Sequence, residues 1–214
     1  MKITIFGAAG DVGSRMVAEA LARNHAVTAV IRKASQLKEL PQGVIAKVAE
    51  LQDGTNLNAL FNDQDIVISA VRPPQGAEAT LVSLTQTLIN AARTSGVRIL
   101  LVGGASSLKM PDQSGHTVLT APNFLPASVV PIAKACFAQY ELCLAETKAD
   151  WTYLAPSAML VPGTRTGIYR TGKNHLLTDE TGQSRISMED LAVAMLDEAE
   201  TPQYKRQRFT AANT

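Results

Sequence analysis

Hydrophobic and polar positions along the chain switch repeatedly between two periods. Short runs of almost uninterrupted apolar or β-branched residues read as strands: "KITIF" (2–6), "AVTAVIR" (26–32), "VIAKVAEL" (44–51), "DIVISAV" (65–71), "VRILLVGG" (97–104) and "WTYLAP" (151–156). Between them, apolar side chains recur at helical spacing. Val12, Met16, Val17, Ala20 and Leu21 share one face of a helix over 12–23. Further helices are predicted over 78–95, closed by Gly96, and over 132–148 and 188–200, with a last strand around 208–211. The 65–71 run lacks alternation, as a central parallel strand covered on both faces should. Strand–helix alternation predicts parallel pairing, right-handed crossovers and helices on both faces. The expectation is one α/β domain over 1–214, a doubly wound, mostly parallel sheet of Rossmann type.

Two segments break the alternation. Residues 105–131 contain Pro111, Pro122, Pro126 and Pro131, and residues 156–187 contain Pro156, Pro162 and four glycines, among them Gly163 and Gly182. Loops this long are uncommon in a compact domain and tend to be functional. Both follow the carboxyl ends of strands, where open α/β sheets take their ligands, so a loop-built substrate site is expected there.

Composition narrows the field mainly by exclusion. With 214 residues, 46% hydrophobic, 18% charged and a net charge of +1, the chain can bury a substantial core. Nothing in that balance favours nucleic acid or an anionic membrane as partner. The one dense basic cluster, Lys205-Arg206-Gln207-Arg208, reads as a solvated edge. No apolar run approaches the roughly 20 residues of a membrane span, and "KITIFGA" is too short for a signal core. Cys136 and Cys143 fall seven residues apart on one helix, about 10 Å, too far for a disulfide. They read as small core residues of a reduced, cytoplasmic protein, and no His/Cys cluster has metal-ligand spacing.

The chemistry begins at "IFGAAGDVGSRM" (5–16), where Gly7, Gly10 and Gly13 crowd the first strand-to-helix turn. Such a turn lets a pyrophosphate approach the backbone, and the helix that opens there points its N–H groups and dipole at an anion. The predicted phosphate cradle is Gly7, Ala9, Gly10, Asp11, Val12 and Gly13. An NAD site usually ends its second strand in Asp or Glu, whereas this strand ends in Arg32 and Lys33. Two cations suit a 2′-phosphate, so NADP(H) is preferred, with NAD(H) left open. Leu51, and Ala70, Val71 and Arg72 after the fourth strand, are expected to border the adenine and inner ribose.

Together with the glycine spacing and Arg32, the stretches "LLVGGASSL" (100–108), "DWTYLAPSAMLVPGTRTGIYR" (150–170) and "RISMEDLAVAMLDEAETPQYKRQRFT" (185–210) resemble one family over nearly the whole chain. It is the NAD(P)H-binding, NmrA-like group of atypical short-chain dehydrogenases, and within it the NADH-flavin reductases and biliverdin reductase B (flavin reductase). The resemblance places Gly103 and Gly104 under a nicotinamide and Pro156 and Ser157 at its carboxamide. Ser106 stands where relatives commonly carry glycine, and Ser107 matches the usual serine of the motif. Either serine can equally well hydrogen-bond its own turn.

Standard short-chain dehydrogenases use a Tyr-x-x-x-Lys pair stacked on a helix. Here Tyr140 is followed four residues later by Leu144, and the literal match, Tyr169 to Lys173, falls in a loop and reads as coincidence. An alkoxide needs a placed proton donor, whereas a flavin or quinone takes hydride into a conjugated ring and a proton from solvent. The expected activity is therefore NADPH-dependent hydride transfer to a flavin, quinone or similar planar acceptor. Met110, Phe124, Leu125, Met159 and Leu160 are candidates to line the acceptor site. Ser107, Ser106 and His116 are the candidate catalytic residues, with His175 in the other loop and His25 expected at the surface. The alternative is a non-catalytic NADP(H) sensor of the NmrA-like kind, which alone would require a protein partner. An isomerase or carbonyl reductase would need His116, His175 or Tyr140 in place of the dyad.

Overall fold

A computed structural model describes residues 1–53 and 57–213. Its first half runs β1 (Lys2–Phe6), α1 (Asp11–Ala22), β2 (Ala26–Ile31), β3 (Val44–Val48), α2 (Leu57–Phe61), β4 (Ile66–Ser69) and α3 (Thr80–Ser95). The second half runs β5 (Arg98–Val102), α4 (Val130–Ala145), β6 (Trp151–Pro156), β7 (Met159–Val161), β8 (Tyr169–Gly172), β9 (Arg185–Ser187), α5 (Met188–Glu200) and β10 (Gln207–Asn213). Eight strands form one sheet in the order β3-β2-β1-β4-β5-β6-β10-β8, and β7 pairs with β9 in a second, two-stranded sheet. Every pair in the large sheet is parallel except β10 with β8. This is the expected single α/β domain of Rossmann type.

Local sequence explains the central elements. The apolar run of β4 is buried at all four positions because α1 and α5 cover one face and α2, α3 and α4 the other. On the first face Ile3, Ile5 and Met16 meet Leu191 and Met195; on the second Phe6 and Phe61 meet Leu88 and Trp151. Gly96 ends α3 in the left-handed region (φ 72°), a conformation glycine adopts without steric cost. Cys136 and Cys143 are buried and unbridged, and burial pushes their thiols up to about 11 and about 12.

Three expectations change. The 156–187 segment is not irregular throughout, because it contains β7, β8 and β9, each too short to show a period of its own. The third strand stops at Val48, freeing Ala49, Glu50 and Leu51 to turn toward the ligand side. Arg208 is not solvated: it faces inward from β10, 7% exposed, over the Tyr140 ring at 4.4 Å. Its Nε donates to the Lys173 carbonyl (3.1 Å), Nη1 to Ser107 Oγ (2.7 Å) and Nη2 to Asn174 Oδ1 (2.9 Å). β10 is buried continuously from Arg208 to Ala212, so both of its faces are covered, and the pleat turns Arg208 to the face that carries Tyr140.

Asp190, in the first turn of α5, is fully buried and anchors the connection between β7 and β8. It accepts from Thr166 N (2.8 Å), Thr166 Oγ1 (2.6 Å), Gly167 N (2.8 Å) and Asn213 Nδ2 (2.6 Å). Burial alone would raise its pKa, but these donors outweigh burial and hold it below the ordinary carboxylate value. The stabilisation is therefore complete above the unfolded-chain value of about 4 and is lost as pH falls through the lower, folded value. Asp190→Asn should destabilise the fold by about 2 kcal/mol at pH 7 and flatten the acid limb, as thermal unfolding across pH 2–7 would show.

Candidate functional site

A cavity of about 370 Å³ opens at the carboxyl ends of β1, β2 and β4. Its floor is the glycine turn, with Gly7, Ala9, Gly10, Asp11 and Val12 in the lining. The three glycines have different duties. Gly7 is left-handed (φ +74°), and a Cβ on it would stand 2.7 Å from the Ala70 carbonyl oxygen. Gly13 is buried and lies outside the lining, and a Cβ there would collide with the Gly7 carbonyl. Gly10 alone is exposed, with its nearest obstacle, the Gly7 oxygen, 3.2 Å from a Cβ. Gly10 is also the N-cap of α1 and supplies no capping side chain, which leaves the first-turn N–H groups to a ligand.

One end of the cavity is edged by Arg32, Gln36, Glu50, Leu51 and Gln52. Arg32 is exposed and takes part in none of the ion pairs among the described residues. Lys33 lies outside the lining, and its backbone N–H donates to Gln36 Oε1 (3.1 Å). The other end is formed by Ala70, Val71 and Arg72, with Pro73, Thr80 and Leu84 behind them. Leu160 and Met188 close a further side. Gln36, Gln52, Thr80 and Met188 escape sequence reading because each joins through a turn or helix end that no motif marks.

Of the residues expected around a nicotinamide and acceptor, only Leu160 lines this cavity. A Cβ on Gly103 would collide with the Tyr153 ring, and one on Gly104 would stand 2.9 Å from Cys136 Sγ. Tyr153, fully buried, accepts from Gly104 N (3.1 Å) and donates to the Cys136 carbonyl (3.0 Å). Both glycines thus have a packing reason inside the chain. Gly103→Ala should cost about 3 kcal/mol or more in urea unfolding, whereas Tyr153→Phe, which keeps the ring, should cost only about 1–2 kcal/mol. Pro156 and Ser157 are buried, with Ser157 Oγ donating to the Ala211 carbonyl (2.9 Å).

Ser106 and Ser107 are both buried beyond β5. Ser107 Oγ accepts from Arg208, and Ser106 Oγ has no hydrogen-bond partner among the described residues. His116 and His175 are exposed, and their loops pair with each other: Lys109 bridges to Thr117 on one side and His175 on the other. That pairing draws residues 105–131 together outside the cavity, and of 156–187 only Leu160 reaches the lining. Of the apolar acceptor candidates, Met110 and Leu125 pack on the core, while Phe124 and Met159 are exposed. His25 bonds to Glu200 (2.7 Å), away from the cavity. Tyr169 bonds to Asp197 from the sheet edge, at some remove from the cavity lining.

A cavity floored by bare helix N–H groups at a glycine turn and edged by an exposed arginine suits a dinucleotide. A family model described as NAD(P)H-binding matches residues 7–202. The chain belongs to this NAD(P)H-binding family. As a family member it binds NAD(P)H. It is 34% identical over 216 residues to the uncharacterized protein YwnB of Bacillus subtilis, covering 100% of this chain and 99% of that one. Among solved structures it is similar to a candidate epimerase from Bacteroides thetaiotaomicron, with 36% identity, TM-score 0.90 and 99% and 96% coverage. It is also similar to a candidate NADH-flavin reductase from Streptococcus pneumoniae, with 27% identity, TM-score 0.88 and full coverage of both chains. Among the described residues no helix is long and apolar enough to cross a membrane, and no cluster of His, Cys, Asp and Glu has the makings of a metal site.

Proposed function

We propose that this family member is an NADPH-dependent reductase whose acceptor is a flat conjugated molecule, a flavin or a quinone. The observation that carries the proposal is the placement of the tyrosines, none of which lines the cavity. Tyr140 packs 5.2 Å from Tyr153 and under Arg208, Tyr153 is buried with its hydroxyl engaged twice, Tyr169 holds Asp197, and Tyr204 stacks on Phe209 at 4.7 Å. A site built for simple ketones needs a proton donor at the carbonyl oxygen; a conjugated acceptor does not. When bound, NADPH supplies the hydride, and the acceptor takes it together with a proton from solvent. The chain's own part is to hold the pyrophosphate on Gly10 and the α1 N–H groups, the 2′-phosphate on Arg32, and the reacting rings at near-attack distance. Among relatives, the Streptococcus pneumoniae protein's name agrees with this reading and the Bacteroides protein's name does not.

The test is steady-state oxidation of NADPH, followed at the nicotinamide absorbance, against FMN, riboflavin and a panel of quinones. Turnover above the free reaction with one of them is expected. Tight NADPH binding with no turnover by any acceptor would overturn the reductase and favour the other reading of the same tyrosine placement, a redox sensor that holds the dinucleotide and signals to a protein partner.

A further inference from the structure

Residues 162–168, between β7 and β8, form a strap that is exposed at every position and has no regular structure. It is held by three carboxylates on α1 and α5. Glu19 of α1 takes Arg165 through both oxygens (2.7 and 2.8 Å), Asp190 takes Thr166 and Gly167, and Glu189 Oε2 takes Gly163 N (2.8 Å). Glycine is required at 163, since a Cβ there would stand 2.9 Å from Ser187 Cβ, so the strap lies pressed against the start of α5.

Glu189 differs from the other two carboxylates because it has a second duty toward the cavity. Its Oε1 accepts from Arg15 Nε (3.0 Å), and Arg15 Nη1 donates to the Asp11 carbonyl (2.8 Å). Asp11 opens α1 and lines the cavity; Met188, the neighbour of Glu189, lines it as well; and Leu160 lines it from β7, which leads into the strap. One carboxylate thus ties together the helix turn that receives the pyrophosphate, the first residue of α5 and the strand that carries the opposite wall. The Arg15 and Glu189 side chains are 28% and 22% exposed, so solvent screens the pair and it contributes little to global stability. Its effect should fall on geometry, where small displacements at a binding site are costly.

We propose that Glu189 is a positioning residue of the dinucleotide site, joining the first turn of α1 to the 162–168 strap and so fixing the wall formed by Met188 and Leu160. The inference needs only NAD(P)H binding and is independent of which acceptor is reduced. The experiment uses the full chain with Glu189→Gln, Arg15→Met and the double variant. Three quantities are measured: NADPH affinity by nicotinamide fluorescence, melting temperature, and the rate of trypsin cleavage after Arg165 with and without NADPH.

Each single variant should weaken NADPH about five- to tenfold, and the double should be no weaker than the worse single, because both break one connection. Melting should shift by only a few degrees at most. NADPH should slow cleavage after Arg165 in the unaltered protein and lose that protection in the variants. Affinities within twofold of the unaltered protein, losses that multiply in the double variant, or unchanged NADPH protection would overturn the proposal. Should Glu189→Gln fail to fold, Arg15→Met decides alone, since it leaves the Glu189–Gly163 bond in place.

Discussion

Gly13→Ala is expected to destabilise the protein by at least about 3 kcal/mol or to prevent folding, although helix propensity alone predicts a gain of about 1 kcal/mol. The position lies inside α1, where alanine is ordinarily the better residue. The opposing effect is steric, because a Cβ would press into the Gly7 carbonyl, and that carbonyl cannot retreat. Gly7 is held in the left-handed region, accepts from Gly10 N (2.9 Å) and abuts the backbone at Ala70. Overpacking against backbone exceeds a propensity gain of this size. Gly10→Ala should be milder for the fold: its Cβ would press only on the Gly7 oxygen, at 3.2 Å against 2.1 Å for a Cβ at Gly13, so part of the stability is lost but the chain still folds, while NADPH binding weakens. Urea unfolding and NADPH titration of the two variants separate the roles. A Gly13→Ala protein as stable as its parent would show that the turn relaxes, and the steric account would be wrong.

The same contrast marks what the sequence could reveal. Elements whose cause is local were readable: the continuous apolar β4, the amphipathic α1, Gly96 closing α3, and the turn at residues 7–13. Elements whose cause lies far along the chain were not. Gly103 has a packing reason that local sequence does not show, because Tyr153, fifty residues later, fills its Cβ space. Arg208 looks solvated in "KRQR" until β10 pairs with β6 and turns it under the 105–108 turn. β7 and β9, three residues each, exist only as each other's partners. The long loops follow strand ends, and what the sequence does not reveal is that they meet, through the bridges of Lys109 to Thr117 and to His175. Both ends of the cavity, in contrast, were legible in "IFGAAGDVG", "VIRK" and "SAVR", because each is a strand end and its next few residues.

Arg32→Asp is expected to weaken NADPH by about 100-fold while changing NADH by no more than about threefold, which would invert or erase the proposed preference for the phosphorylated cofactor. Arg32 follows β2, lines the cavity, is exposed, and has no carboxylate partner among the described residues. A guanidinium so placed pairs with a dianionic 2′-phosphate through two hydrogen bonds, each charge-assisted contact contributing about 1.5–3 kcal/mol. Partial exposure puts the pair toward the lower end of that range, and the introduced carboxylate adds repulsion. For NADH the same carboxylate faces a ribose hydroxyl, for which it is a good acceptor, so the affinity is kept. Lys33, outside the lining, should matter far less, and Lys33→Asp is the matched control for the change in net charge. Fluorescence titration of both cofactors against both variants measures this directly. Equal losses for NADPH and NADH in Arg32→Asp would remove the 2′-phosphate from this end of the cavity, and equal effects of the two substitutions would reduce the preference to a diffuse field in place of a site.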